Sequence, residues 1–170
     1  MPEKALFSRN PTRRGAAWPW FAVAAAIILA DRITKLVVLA AFAPGETRFV
    51  TGFFNLVLVY NKGAAFSFLA NAPGWQTPLF AAIAVAAAAI ISFLLLRARG
   101  RRLYSAGLAL ILGGALGNLW DRLQWGAVAD FLDFHAAGWH WPAFNVADSA
   151  ITVGAALLIL ESFRQRDAAR

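Results

Sequence analysis

Four long apolar stretches with few charges dominate this sequence and limit what it can fold into. Residues 77–96 and 103–120 contain no charged side chain, residues 144–162 contain two, and residues 17–39 contain three. A helix needs about 17–25 residues to cross a hydrocarbon core, where every backbone amide must be satisfied within the protein. The stretches also lack the alternating pattern of a membrane β-barrel. The sequence therefore predicts an all-α membrane protein with four transmembrane helices.

Composition agrees with that prediction and excludes several other classes of protein. Hydrophobic residues make up 60% of the 170-residue chain and charged residues 15%, whereas a water-soluble domain carries about 25% charge. The chain has no cysteine, which excludes disulfides, thiolate zinc sites and a cysteine nucleophile. Its net charge of +7 comes from basic residues placed between apolar stretches, so we expect no nucleic-acid partner. We interpret residues 1–170 as a single membrane domain.

The basic residues predict how the four helices are oriented. Eleven of the 16 Lys and Arg side chains lie before residue 15, within residues 97–102 or after residue 163. Because basic flanks stay in the cytoplasm, we expect both termini and the 97–102 turn there, with the connections 41–76 and 121–143 facing outward. A cleaved signal peptide is the alternative for the N-terminus. We favour a retained first helix, since its apolar pattern continues to residue 39.

The first outward connection, residues 41–76, is predicted to form a small extracytoplasmic β-rich cap. Residues 49–60 are rich in Val, Phe and Thr and predict one or two short strands. Residues 63–70 predict a short apolar helix that ends before a Pro-Gly pair. That surface helix either rests on the membrane or packs within the cap, and the sequence leaves both possibilities open.

Charged residues at membrane depth are the candidates for function. Asp31 and Lys35 share one helix face, and we interpret both this pair and the neighbours Asp121 and Arg122 as structural ion pairs. Asp130, in the connection between the third and fourth stretches, has no comparable cation beside it in the sequence, and neither has Asp148. These two aspartates are therefore the ones that most need an explanation.

Each of the two aspartates has an ordinary structural explanation when it is taken alone. Asp148 would complete a capping box with Asn145 at the start of the fourth helix. Asp130 and Asp133 would be solvated loop acids. Together, however, Asp130 and Asp148 are two acids with apolar neighbours at one interface, which suggests an acid–base pair. In such a pair we expect Asp148 to be ionised at its helix N-terminus and Asp130 to be protonated.

Other chemistries find less support in the sequence. Ser149 and His135 are conceivable members of a serine triad, but Ser149 has no strained nucleophile turn. Asp133, His135 and His140 are conceivable metal ligands, yet they lack the spacing of a helical metal motif. We expect no metal and no cofactor. The main alternative is a small transporter or channel subunit in which Asp31, with the two aspartates above, forms a proton or cation path. A purely structural membrane anchor is the third hypothesis.

Five short blocks stand out along the chain. They are residues 31–35 (DRITK), 60–67 (YNKGAAFS), 113–122 (GGALGNLWDR), 128–131 (VADF) and 144–150 (FNVADSA). In motif, order and spacing these blocks resemble the lipoprotein signal peptidase family, also called signal peptidase II. The resemblance spans nearly the whole chain apart from its two tails.

The resemblance implies an aspartic endopeptidase of the bacterial cytoplasmic (inner) membrane. Such an enzyme removes the signal peptide from a prolipoprotein that carries a diacylglyceryl cysteine, cutting before that cysteine, and globomycin-type cyclic peptides inhibit it. By position in the motifs, Asp130 and Asp148 match the catalytic aspartates. The same comparison implies a pocket-shaping or supporting role for a further set of residues: Asn61, Gly63, Asn118, Arg122, Asn145, Asp31 and Lys35. The resemblance also implies that membrane lipid surrounds the protein.

Overall fold

The computed structural model describes residues 16–63, 74–98 and 100–168 of the chain. Within these residues the chain forms four long α-helices, one for each predicted apolar stretch. They are α1 (Trp18–Ala41), α2 (Gln76–Arg97), α3 (Arg102–Trp125) and α4 (Val146–Ala168). The short helix expected over residues 63–70 lies outside the described residues, apart from Gly63.

The third helix is longer than the sequence predicts. It continues past residue 120 to Trp125 and stops where Gly126 adopts a φ of +71°, with its N–H donating to Arg122 O. A glycine in the left-handed region is a common helix terminator. The extension matters for the site, because it places Asp121 and Arg122 on a helix instead of in a loop.

In the part of the chain that the structure describes, three helices are long and apolar enough to cross a membrane: α2, α3 and the Val146–Gln165 part of α4. The remaining helix, α1, has 24 residues but carries three charged side chains. Two of them, Asp31 and Lys35, are fully buried, whereas Ile33 and Val37 on the same helix are exposed. The helix α1 therefore directs Asp31 and Lys35 into the protein and leaves apolar side chains on its surface. The described structure as a whole is mostly helical.

The helix α3 lies at the centre of the helical part, because it packs against α1, α2 and α4. Glycines permit close approach between such helices. A Cβ atom at Gly113 would lie 2.8 Å from Ala24 O of α1, and one at Gly117 would lie 2.9 Å from Asp31 Oδ2. The G-x-x-x-G pair thus lets α1 bring its buried charges against α3.

Four strands form a small sheet in the order β1-β2-β3-β4, with antiparallel pairing throughout. They are β1 (Thr47–Thr51), β2 (Phe54–Asn61), β3 (Val128–Ala136) and β4 (Trp139–His140). The first two confirm the strands expected within residues 49–60. The strand β3 was not predicted from the sequence, because residues 128–131 are all buried and so lack the alternation that marks a half-exposed strand.

The strand β3 joins the sheet to the helices. Its Phe131 packs in one buried cluster with Val38 of α1 and Leu58 of β2. The N–H groups of Phe131 and Leu132 both donate to Phe144 O, at 3.0 and 2.8 Å, just before α4 begins. The start of β3 is thereby held beside the start of α4, which is where the candidate site lies.

Candidate active site

Asp130 lies in β3 and is almost fully buried. Asn61 of β2 donates Nδ2 to Asp130 Oδ2 at 3.2 Å, and Asn145 donates Nδ2 to Asp130 Oδ1 at 2.7 Å. The interpretation of Asp130 and Asp133 as solvated loop acids is therefore wrong. Both side chains are buried in the strand that the sequence analysis missed.

Asp148 lies in the first turn of α4, three residues after Asn145. The two residues form the expected capping box: Asp148 N–H donates to Asn145 Oδ1 at 2.9 Å, and Asn145 N–H donates to Asp148 Oδ2 at 3.3 Å. The other carboxylate oxygen, Oδ1, accepts a hydrogen bond from Asn118 Nδ2 at 2.7 Å. The capping role therefore occupies only one of the two oxygens.

Asn145 connects the two aspartates, because its buried side chain binds Asp130 through Nδ2 and the first turn of α4 through Oδ1. Burial raises the pKa of Asp130 to about 7, and the nearby carboxylate of Asp148 acts in the same direction. The hydrogen bonds from Asn61 and Asn145 oppose that rise. Asp130 is therefore partly protonated at neutral pH, so the site offers both an acid and a base.

A second group of buried charged residues lies next to Asp130 and Asp148. The expected Asp31–Lys35 pair is confirmed, with Lys35 Nζ 2.7 Å from Asp31 Oδ2. Lys35 Nζ also lies 2.7 Å from Asp121 Oδ2 and donates to Asn118 Oδ1 at 3.1 Å. We call these four residues (Asp31, Lys35, Asn118 and Asp121) the Lys35 cluster. It reaches the site directly, since Asn118 also binds Asp148.

The prediction of an ion pair between Asp121 and Arg122 is wrong. Consecutive residues on a helix do not face each other, so the two side chains point in different directions. Arg122 donates Nη2 to Gly63 O at 3.0 Å and Nη1 to Asn118 O at 3.3 Å. Gly63 N–H in turn donates to Asn61 Oδ1 at 2.9 Å. Arg122 therefore connects α3 with the end of β2.

The nine residues selected from the sequence belong to one connected hydrogen-bond network. They are Asp31, Lys35, Asn61, Gly63, Asn118, Arg122, Asp130, Asn145 and Asp148. Asp121 belongs to this network as well, although its sequence position predicted only a structural ion pair, with the wrong partner. Its spacing from Gly117 and Asn118, four and three residues along one helix, was the available signal.

The residues considered for a serine triad or a metal site have other partners. Ser149 Oγ donates at 2.9 Å to Asn145 O, which directly precedes its own helix. The His135 ring stacks on His140, with ring centroids 5.0 Å apart, and His140 Nδ1 lies 2.9 Å from Asp133 Oδ1. Across residues 16–63, 74–98 and 100–168, no group of three His, Asp or Glu side chains is placed to hold a metal ion.

Asp133 differs from Asp130 although both lie on β3. Burial alone raises the pKa of Asp133, but the hydrogen bonds from Asn55 and His140 outweigh it and hold that pKa below its ordinary value. An apolar cavity of about 420 Å³ lies beyond Asp133, toward the end of β3, and neither Asp130 nor Asp148 lines it. Its lining residues are Phe53, Phe134, His135, Ala136, Trp139, Trp141 and Phe144.

Comparison with known proteins gives the same family as the sequence blocks. The family model described as signal peptidase (SPase) II matches residues 23–164. The chain is 57% identical over 157 residues to the lipoprotein signal peptidase of Paraburkholderia phytofirmans, covering 92% of this chain and 91% of that protein. It is 56% identical over 156 residues to the lipoprotein signal peptidase of Burkholderia mallei, covering 92% and 94%.

Solved structures show a similar fold. A bacterial membrane enzyme, determined by the in meso method at 2.3 Å resolution, superposes with a TM-score of 0.81 at 26% identity. The match covers 90% of this chain and 92% of that one. A second bacterial membrane enzyme, determined at 1.9 Å, matches with a TM-score of 0.76, also at 26% identity, over 88% and 95% of the two chains. The arrangement of helices and sheet described above is therefore shared with bacterial membrane enzymes.

Proposed function

This chain belongs to the signal peptidase II family, and we propose that it removes signal peptides from prolipoproteins with Asp130 and Asp148 as its catalytic pair. The family is one of aspartic proteases, so the chain is a membrane hydrolase. What supports the choice of these two carboxylates is their convergence on one side chain. Asn145 binds Asp130 through Nδ2 and caps the turn that carries Asp148 through Oδ1.

The environments of the two carboxylates support different roles for them. Asp130 is buried among β3 residues, and its pKa of about 7 keeps part of the population protonated at neutral pH. Asp148 lies in the first turn of α4, where the helix dipole favours a negative charge. We therefore assign Asp148 as the base and Asp130 as the acid in the resting enzyme.

The reaction follows from that division. Ionised Asp148 takes a proton from a water molecule, whose oxygen attacks the scissile carbonyl carbon, and Asp130 donates its proton to the carbonyl oxygen. The tetrahedral intermediate then breaks its C–N bond, and the proton held on Asp148 passes to the leaving amine. The return of the hydroxyl proton to Asp130 restores both side chains. The steps use two side chains of this chain, the substrate and one water molecule.

The substrate and membrane assignments complete the proposal. We propose that the substrate carries a diacylglyceryl cysteine, that cleavage occurs before that cysteine, and that globomycin-type peptides block the site. The chain is then one four-span domain of the bacterial inner membrane, with α1 as a retained span and both termini in the cytoplasm. Buried Asp31 and Lys35 support the role of α1, because pairing lowers the cost of placing their charges at membrane depth.

The test is cleavage of a diacylglyceryl-modified prolipoprotein by the purified full-length protein in nanodiscs. We expect the parent protein to release the signal peptide, and Asp130→Asn and Asp148→Asn each to lose activity by about 10²–10⁴-fold, the usual contribution of general acid–base catalysis. Asp133→Asn is the matched control, since it makes the same change on β3 outside the network, and it should stay active. An inactive parent protein would favour the transporter hypothesis. Near-normal turnover by either Asp130→Asn or Asp148→Asn would exclude the aspartate pair.

A further inference from the structure

Lys35 uses all three of its ammonium hydrogens inside the protein. Its Nζ lies 2.7 Å from Asp31 Oδ2, 2.7 Å from Asp121 Oδ2 and 3.1 Å from Asn118 Oδ1, and the side chain is completely buried. An ammonium group has three donors, so no further protein partner is needed. One cation therefore sets the distance between two carboxylates that belong to different helices.

Each of those carboxylates also binds the backbone beside one aspartate of the catalytic pair. Asp121 Oδ2 accepts the N–H of Ala129, the residue before Asp130, at 3.2 Å. Asp31 Oδ1 accepts the N–H of Ala147, the residue before Asp148, at 2.9 Å. The same local arrangement thus occurs twice, once on β3 and once on α4, with Lys35 common to both.

We propose that Asp121 is a positioning residue that holds Asp130 opposite Asp148 by binding the N–H of Ala129 while it is anchored to Lys35. This inference rests on the proposed function, since it assumes that Asp130 and Asp148 act as a pair. Ala129 pairs with Tyr60 of β2 in the sheet register, and its N–H points away from that strand to Asp121. The bond therefore draws the catalytic part of β3 toward α3.

The hydrogen bond from Ala129 N–H to Asp121 lies where it can control the position of the Asp130 carboxylate. Asp130 follows Ala129 directly, so a shift of the Ala129 backbone moves the Asp130 carboxylate by a similar distance. A misplacement of about 1 Å at a reacting group costs about 10²-fold in rate. Asp121 itself contacts neither Asp130 nor Asp148 through any hydrogen bond in the described part of the chain. Its effect on the reaction must pass through the backbone and through Lys35.

The test compares Asp121→Asn and Asp121→Ala in the prolipoprotein cleavage assay. The amide oxygen of Asn can still accept from both Lys35 and Ala129, as Asp121 Oδ2 does, but it carries no negative charge, whereas Ala removes both bonds. We expect kcat to fall in the order parent, Asn, Ala, by about 10²-fold for Ala, with KM unchanged. Gln124→Ala is the matched control, because Gln124 lies one turn further along α3 and binds Arg32 but not Ala129. It should keep the parent kcat.

A pH profile tests the effect of the Asp121 charge separately from the effect of its hydrogen bonds. The charged groups that act on Asp130 are Asp148 of α4, Lys35 of α1 and Arg122 of α3. Asp121→Asn removes the negative charge that balances Lys35, so the field of Lys35 at Asp130 grows and favours the ionised carboxylate. The pKa of Asp130 then falls, and the alkaline limb of the kcat/KM profile should move to lower pH. Asp121→Ala removes the same charge and should move the limb equally, so the further fall in kcat of Asp121→Ala below Asp121→Asn reports the lost hydrogen bonds.

The results of the Asp121 variants can be told apart from a failure of the proposed function. Cleavage by the parent and its loss in Asp130→Asn establish the pair first, and only then are the Asp121 variants informative. A lower kcat per folded molecule, with unchanged KM and a shifted alkaline limb, supports positioning. A parent-like kcat per folded molecule overturns it, even where less folded protein is obtained. Failure of both Asp121 variants to fold also overturns it, because Asp121 would then serve the fold alone.

Discussion

Asn145 donates its side-chain amide to Asp130 Oδ1 at 2.7 Å, across the junction between β3 and α4. A hydrogen bond given to a carboxylate stabilises the ionised form, and this bond is one of those that lower the pKa of Asp130. Burial and the charge of Asp148 outweigh it, which leaves the pKa at about 7. The bond therefore tunes the protonation of Asp130 as well as its orientation.

The first prediction concerns the parent enzyme. On the proposed assignment of Asp130 as the acid, kcat/KM should decline as pH rises through the pKa of Asp130, about 7, where the carboxylate loses its proton. The measurement is kcat/KM for prolipoprotein cleavage between about pH 5 and 9, which reports groups of the free enzyme. Activity that stays level or rises up to pH 9 would assign the acid role elsewhere.

The second prediction concerns Asn145→Ala. Loss of its Nδ2 removes a bond that favours ionised Asp130, so the pKa of Asp130 should rise and the alkaline limb should move to higher pH. The turnover at optimum pH should also fall, since Asp130 loses one of its two orienting bonds. Asn55→Ala is the control, because Asn55 is a buried Asn on the same sheet that binds Asp133 instead, at 2.9 Å. A limb that moves down in folded Asn145→Ala, or moves equally in Asn55→Ala, contradicts the assignment.

The third prediction concerns membrane orientation. A reporter that is active only outside the cytoplasm should be silent when fused after Gly100, between α2 and α3, and active when fused after Gly138, between β3 and β4. The reason is the concentration of basic residues near the first position and their scarcity near the second. The reverse pattern would place the aspartate pair on the cytoplasmic side and remove the basis for an extracytoplasmic substrate.

The helices could be predicted from sequence because apolar length alone indicates them. The apolar stretch 77–96 corresponds to α2, which is longer by one residue at each end. The capping box at Asn145 was equally accessible, since its two members lie three residues apart on one helix and need no tertiary information. Local patterns of this kind can be predicted from the sequence because they do not depend on contacts with distant segments.

The rest depended on contacts between distant segments. The strand β3 was missed because its buried start lacks alternation, and its partner β2 lies about 70 residues away in the chain. Lys35 and Asp121 form an ion pair between α1 and α3, whereas adjacency in the sequence suggested Arg122 as the partner. The roles of Asn61 and Gly63 came only from the family resemblance, since both make contacts with distant segments. Asn61 binds Asp130 between β2 and β3, and Gly63 binds Arg122 between the end of β2 and α3.

The fourth prediction tests whether packing between α3 and α4 positions Asp148. A Cβ atom at Gly114 would overlap the backbone carbonyl oxygen of Ala147, the residue before Asp148, and would lie 2.7 Å from Ile151 Cγ1. Gly114→Ala should therefore push the first turn of α4 away from α3. We expect a loss of about 1–3 kcal/mol in unfolding free energy from overpacking, together with lower kcat. Gly52→Ala is the control, because a Cβ there meets nothing within 4 Å. Thermal unfolding in detergent and the cleavage assay measure both effects, and a Gly114→Ala protein that equals Gly52→Ala in both would show that α4 tolerates the displacement without moving Asp148.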